Sequence, residues 1–355
     1  MKTRNTIVVA VVILLAATGA WAAEDTDKPN IVILATGGTI AGSAETQTQA
    51  GYTSGQVGVD VLINAVPQIK ELADVTGEQI SNVGSQDMSD AIWLKLATRI
   101  NELAASDKVD GIVITHGTDT IEETGFFLSL VIHSSKPVVM TASMRPSTAL
   151  SADGPLNIYN AVAVAADPQA AGRGVMIVAN DDIHSAHSIT KTNTTDVHTF
   201  MSPERGLIGV CLYGESRFFR SPYKVHTSES EFSVEGVKEL PRVDVIYITA
   251  GVSPDLIDSA VENGAKGIVT AGVGNGNMTG EALEAVSRAV GKGVAVVRSS
   301  RVPTGFVGRN VEINDDETGT VASGELNPAK ARVLLKLVLL KTADPVKIQD
   351  YFDRY

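Results

Sequence analysis

The run Ile31-Val-Ile-Leu-Ala-Thr-Gly-Gly-Thr-Ile-Ala-Gly42 decides the fold. Five apolar residues, Ile31 to Ala35, pass straight into two glycines flanked by Thr36 and Thr39. An uninterrupted β-branched run of that length fits a strand buried on both faces, and such strands belong to parallel sheets covered by helices. Similar runs recur at Gly111–Thr115, Pro137–Thr141, Gly174–Ala179, Val243–Thr249, Gly267–Thr270 and Gly293–Val297. Helix-period segments lie between them. Ile92, Leu96, Ile100 and Leu103 follow Ser89, a residue suited to cap a helix N-terminus, and Asn327-Pro328 opens another helix with proline at its first position. Strands alternating with helices predict an α/β fold with mostly parallel sheets.

Outward from these elements, the chain divides. Residues 217 to 236 are polar, contain Pro222 and carry no clear period. They are expected to link a larger N-terminal domain, 29–216, to a smaller C-terminal one, 242–355, with the linker spanning 217–241. Ahead of both, Lys2 and Arg4 precede an apolar run from Ile7 to Ala17, and Ala20-Trp-Ala22 supplies small residues for cleavage. That order reads as a secretory signal peptide over 1–22, since the run is well short of the roughly 20 residues a spanning helix needs. The mature chain is therefore expected in the periplasm. No cysteine stands directly after the cleavage site, which argues against lipoprotein processing.

Loss of Lys2 and Arg4 takes the net charge from −12 to −14, a balance that repels nucleic acid and anionic membranes. The single cysteine, Cys211, excludes an intrachain disulfide and reads as a core residue. His184 and His187 have a metal-compatible spacing, but only Asp181 and Asp182 stand near them, so a polar loop is the expectation, with no metal and no cofactor.

In α/β sheets ligands bind beyond the carboxyl ends of the strands. The residues found there are Thr36-Gly-Gly-Thr39, Thr115-His-Gly-Thr-Asp-Thr120 and Thr141-Ala-Ser-Met-Arg-Pro-Ser147, a rim of hydroxyls, glycines and one carboxylate. The first loop lacks the G-x-G-x-x-G order and any G-K-[ST], which speaks against a phosphate cradle. Glycines at 42, 51 and 55 make the next segment a candidate lid, with Tyr52 as its one large side chain and a potential acid or base. Thr120-Ile-Glu-Glu123 matches a capping box, which places Thr118 and Asp119 just ahead of a helix. Ser85-Gln86-Asp87 forms a similar cluster, and Lys191 is a lone cation among small hydroxyls, where it could lower a nucleophile's pKa. Thr39 and Thr118 are both placed to attack.

The motifs T-G-G-T-I-A-G (36–42), G-S-Q-D-M (84–88), H-G-T-D-T-x-E-E-T (116–124), M-R-P-S-T (144–148), S-A-D-G-P-x-N (151–157), T-K-T-N-T-T-D (190–196) and G-V-G-N-G-N (272–277) resemble those of bacterial type II L-asparaginases, within the asparaginase/glutaminase family. The resemblance runs from about Pro29 to Tyr355. It implies hydrolysis of the asparagine side-chain amide to aspartate and ammonia. Thr39 would be the nucleophile with Tyr52 assisting, and Thr118, Asp119 and Lys191 would lie across the amide. Ser85, Gln86 and Asp119 would hold the α-carboxylate and α-amino groups. A neighbouring subunit would contribute Asn277 and Glu312 within a homotetramer of two intimate dimers. The fold implied is a large N-terminal α/β domain with a smaller flavodoxin-like C-terminal one. A disulfide of some relatives is lacking, the matching segments being Ala104–Asp107 and His133–Ser135, and Ser299–Gly305 looks like asparagine-preferring members.

Two other readings compete. A glutaminase-asparaginase would use both amides, because one methylene is worth only roughly 1–3 kcal/mol of discrimination. An exported solute-binding protein would also have two α/β domains and polar loops, but would leave a hydroxyl pair beside a lysine without purpose.

Overall fold

The structure, a computed structural model, describes residues 28–48, 53–56 and 58–355. The expected signal peptide at 1–22 and Tyr52 lie outside the described residues. The first part of the chain forms β1 (Asn30–Gly37), α1 (Val59–Ala65), α2 (Ile69–Leu72), β2 (Asp74–Val83), α3 (Asp90–Ala104), β3 (Gly111–Thr115), α4 (Ile121–Val131), β4 (Val138–Thr141), α5 (Gly154–Ala166), β5 (Val175–Ala179), β6 (Asp182–Ser185), β7 (Thr190–Lys191), β8 (Phe200–Met201), β9 (Gly209–Leu212) and β10 (Glu215–Phe218). The remainder forms β11 (Val243–Tyr247), α6 (Asp255–Glu262), β12 (Gly267–Gly272), α7 (Gly280–Gly291), β13 (Ala295–Ser300), α8 (Asp315–Thr318), β14 (Val321–Ala322), α9 (Pro328–Val338) and α10 (Pro345–Arg354).

Eight strands make one sheet in the order β10-β9-β6-β5-β4-β3-β1-β2, and four make a second in the order β11-β12-β13-β14. The second is parallel throughout. The first is parallel from β2 to β5 and antiparallel from β5 to β10. The expected α/β architecture, a large mostly parallel sheet and a separate smaller one, is what forms.

β1 shows why its sequence could only be central. Ile31, Ile33 and Ala35 enter the hydrophobic cluster on one face, with α5 and α1, while Val32 and Leu34 enter the cluster on the other, with α3 and α4. Burying each large aliphatic side chain contributes roughly 2 kcal/mol, so neither face tolerates a polar residue. β11 differs from expectation: it edges the second sheet, and Val245 and Tyr247 are exposed. The helix forecasts hold at their starts, with the Ser89 side chain accepting from the Ile92 amide and that of Asn327 from the Lys330 amide. Cys211 is buried in β9, as expected.

The segment expected as a linker opens inside β10, and Phe232, Val234 and Leu240 are buried in the cluster that also holds residues of both sheets. Charged contacts cross the same seam. Lys336 on α9 reaches Asp90 at 2.7 Å, and Arg332 reaches Glu123 at 3.8 Å. His184, expected in a polar loop, instead lies buried in β6, where Ile183, His184 and Ser185 all pack inward. Among the described residues no cluster of acidic, histidine and cysteine side chains could hold a metal ion, and no helix is long and apolar enough to cross a membrane.

Candidate active site

Sheet register assembles the site. β1 and β3 run parallel with Ala35 level with Thr115, so the turns that follow, Thr36–Thr39 and His116–Thr118, leave the sheet side by side. β2 pairs on the other side of β1, and a register shift between Ala35 and Gly37 lets Gly37 align with Val83. Gly84 and Ser85 therefore arrive at the same edge.

Glycine makes the close approach possible. Gly38 has φ +81, and a Cβ there would stand 2.3 Å from the Gly117 amide nitrogen. A Cβ on Gly117 would in turn meet the Ser85 hydroxyl at 2.6 Å. Three loops thus touch, Gly38 and Gly117 backbone to backbone and Gly117 against the Ser85 side chain. Gly38→Ala should destabilise the protein by at least about 2 kcal/mol through strain and clash together. Thermal unfolding checks this; an unchanged midpoint would remove the packing account of the two glycines. The Gly38 amide donates to the Val83 carbonyl at 2.9 Å. Glycine here serves chain approach.

Thr39 opens a short 3-10 turn, Thr39–Ala41, and is buried. Thr36 braces the turn by donating to the Thr115 carbonyl at 3.0 Å. Across the turn, the Lys191 ammonium on β7 donates to the Thr118 hydroxyl at 2.9 Å and to Asp119 at 2.6 Å. Lys191 is largely buried, whereas the Asp119 side chain is 56% exposed and faces the open side. The Asp119 amide donates to the Ser85 hydroxyl at 3.1 Å. Gln86 is exposed beside Asp87. Thr118, Asp119, Lys191 and Ser85 are therefore one hydrogen-bonded cluster, abutting the Gly38–Thr39 turn through Gly117.

The capping box does not form. Thr120 precedes α4, but its side chain makes no cap bond and donates instead to the Ser85 carbonyl at 2.7 Å. A remote carbonyl has outcompeted the local amide, and the hydroxyl ties two site loops together. Asn277 and Glu312 lie elsewhere, beyond the ends of β12 and β13, where Asn277 donates to Glu312 at 2.5 Å. The Asn277 side-chain oxygen is buried with no hydrogen-bond partner among the described residues. Residues 43 and 53, which flank the expected lid, pair as an antiparallel bridge.

Three supports were not legible in the sequence. His116 is fully buried, its Nδ1 donating to the Gly117 carbonyl at 2.8 Å while Thr124, itself accepting from Trp93 at 2.8 Å, reaches Nε2 at 3.0 Å. That chain suits a neutral ring and steadies the peptide before Thr118. Lys330 of α9 is buried and donates to the His187 carbonyl at 2.9 Å and to the Ile189 carbonyl, fixing the strand entry two residues before Lys191. Burial lowers its pKa to about 8. Arg298 and Asp315 form a buried ion pair at 2.6 Å, and Arg298 also donates to the Asn275 carbonyl at 3.2 Å, next to the Asn277 loop.

Burial also pushes the pKa of His116 and of His184 down to about 4 and that of His187 to about 3. The unfolded chain then binds these protons first. Their contribution is complete above about pH 6.5 and is lost as pH falls toward 4, at roughly 3 kcal/mol for each group. Unfolding free energy should already drop between pH 6.5 and 5, above the carboxylate range. A flat profile in that window would contradict it.

With this geometry in hand, the chain can be set beside known proteins. Residues 30–224 match the family model of the asparaginase N-terminal domain, and 242–352 that of the glutaminase/asparaginase C-terminal domain. L-asparaginase 2 of Escherichia coli K12 is 52% identical over 92% of this chain and 93% of its own length. A probable periplasmic L-asparaginase of Haemophilus influenzae is 49% identical over 95% of this chain and 96% of its own. The crystal structure of a probable cytoplasmic L-asparaginase from Campylobacter jejuni, 47% identical, superposes with a TM-score of 0.90 over 92% of this chain and 100% of its own. Two family models matched in order and about half of all residues shared along nearly whole chains leave one assignment: the protein belongs to the asparaginase family.

Proposed function

We propose that the protein hydrolyses the side-chain amide of L-asparagine to L-aspartate and ammonia, through an acyl ester on Thr39. The observation that carries this reading is the Lys191 ammonium held on the Thr118 hydroxyl and Asp119, across from the Gly38–Thr39 turn, in a chain whose relatives are named L-asparaginases. A threonine hydroxyl needs a base or cation beside it before it attacks. In the proposed course the Thr39 oxygen bonds to the amide carbon and its proton passes through the site to the leaving nitrogen. The carbon–nitrogen bond then breaks, releasing ammonia, and water cleaves the ester to regenerate the hydroxyl. Tyr52 would assist from the lid. Asp119, with Ser85 and Gln86, would hold the α-amino and α-carboxylate groups of the substrate, which fixes the amide at reacting distance.

Asn277 and Glu312 would complete the site of a neighbouring subunit in a homotetramer of two dimers. Their place beyond the strands of the second sheet, and the Asn277 side-chain oxygen without a hydrogen-bond partner among the described residues, support this. Thr39→Ala and Glu312→Ala should each be nearly inactive alone, and a refolded mixture should regain activity, because every mixed dimer carries one intact site. A mixture that stays inactive would place each site within one chain. Residues 1–22 would direct export to the periplasm and be removed, and 217–241 would connect the two catalytic-domain halves.

Ammonia release from L-asparagine and L-glutamine, measured side by side at low concentration, tests the activity. Strong release from asparagine with little from glutamine is the expected result, and comparable release from both would make the protein a glutaminase-asparaginase. Release from neither would return the solute-binding reading.

A further inference from the structure

The chain carries 41 acidic and 29 basic residues, yet one cavity of about 250 Å³ is lined by Arg173, Arg205, Arg220 and Lys224 and by no carboxylate. Arg205 is neutralised from outside the lining by Glu325 at 2.8 Å. The other three cations have no carboxylate within ion-pair distance among the described residues. Arg173 donates to the Gln169 and Arg220 carbonyls and the Ser221 hydroxyl, Arg220 to the Arg205 carbonyl, and Lys224 to the Asp353 carbonyl. Glu325 and Asp353 favour the Lys224 charge from a distance, and Arg173 lies over the Phe218 ring at 4.2 Å, but the mouth as a whole gathers cations and attracts an anion.

Behind the mouth the wall is apolar, made by Phe126, Val175, Ile208, Pro222 and Val225. Ser129, Ser185, Ser188 and His226 also line the cavity, and one buried polar atom of the lining has no partner among the described residues. His187, nine-tenths buried and edge-on to Phe126 and Tyr223, has an Nε2 with no hydrogen-bond partner among the described residues, and Glu325 stands 3.8 Å from it. A buried ring nitrogen left unpaired in a cavity lining is a group a ligand or ordered water would satisfy.

The cavity is separate from the candidate active site. Val175 begins β5, and β3, β4 and β5 are parallel, so Arg173–Val175 lies at the sheet edge opposite to Thr115–Thr118. We propose that it is a second ligand site, taking a small organic monocarboxylate with an apolar body. The carboxylate would lie between Arg173, Arg220 and Lys224, and the body against Phe126, Val175 and Ile208. An apolar wall of this extent disfavours a bare inorganic anion, and the cationic mouth disfavours a neutral hydrocarbon.

The test titrates the full-length mature protein with benzoate, with benzyl alcohol as the neutral ring of the same size, and with inorganic phosphate, by calorimetry. Benzoate should saturate with a Kd of about 1 mM or tighter, and the other two probes should bind at least about tenfold more weakly. Arg220→Ala, at an exposed position, and Arg173→Gln should each weaken benzoate at least about tenfold while thermal midpoint and asparagine turnover stay as in the parent. Benzoate binding that survives both substitutions overturns the assignment, as does equal binding of benzyl alcohol or of phosphate. Absence of saturation by about 20 mM, far beyond the expected Kd, overturns it as well. So does protection of the Tyr223–His226 amides by subunit assembly, which would make the mouth an interface between copies.

Discussion

Thr39→Ala should lower kcat for L-asparagine by roughly 10³–10⁵-fold with a smaller change in KM, the signature of losing the group that forms the covalent bond. Thr39 is buried in a short turn, and alanine fits its backbone, so the variant should fold with a midpoint within a few degrees of the parent. Lys191 and Asp119 remain in place, and substrate can still bind. Steady-state kinetics with circular dichroism on the same samples separates chemistry from folding. Retention of more than about a tenth of kcat would mean that Thr39 is not the nucleophile.

The second large effect lies far from that threonine. Arg298→Met should destabilise the protein by about 3–5 kcal/mol, because it strands the Asp315 carboxylate in the interior. Both side chains are essentially unexposed. Burial pushes the Asp315 carboxyl up, but hydrogen bonds from Arg298, Thr320 and the Asn310 amide outweigh it and hold the group below the ordinary carboxylate range. Its contribution is therefore present above the usual carboxylate pKa and fades as pH falls through the lowered one. Arg298 also donates to the Asn275, Gly276 and Gly308 carbonyls, so the same pair fixes the loops that carry Asn277 and Glu312. A double variant, Arg298→Met with Asp315→Leu, should regain much of the stability, since no charge is left buried, but not the activity. Denaturant unfolding and kinetics together decide; full activity in the double variant would disconnect the ion pair from the site.

These two effects show what a sequence displays and what it conceals. β1, β3, β4 and β5 were legible because burial on both faces leaves an unbroken apolar run. β2 was not, because it edges the sheet and carries Thr76, Glu78 and Gln79 in a half-exposed pattern. The short antiparallel strands β6 and β10 were hidden for a related reason, since Asp182, His184 and Ser216 interrupt their apolar character. At the site, hydroxyls and glycines at strand ends pointed to Thr39, Thr118 and Asp119, a polar cluster ahead of a helix to Ser85, and a lone cation among small hydroxyls to Lys191. The convergence of Ser85, Thr118, Asp119 and Lys191 into one hydrogen-bonded set, with the Thr39 turn packed against it, depends on strand register, which motifs do not state.

Residues whose role depends on remote partners left no local mark. Lys330 and Arg298 look like surface charges in sequence, and only the chain's path brings carbonyls and Asp315 around them. Thr120 shows the converse, a strong local capping signal overridden by the Ser85 carbonyl from 35 residues away.

Trapping the covalent intermediate tests the central claim most directly. The mature protein would be incubated with a slowly hydrolysed asparagine analogue, quenched in acid and digested, and the modified peptide sequenced by mass spectrometry. An ester on Thr39, within the peptide around Ile33–Gly42, is the result expected. Label on Thr118 would contradict the account, and Lys191 would then serve the wrong hydroxyl in the scheme proposed here.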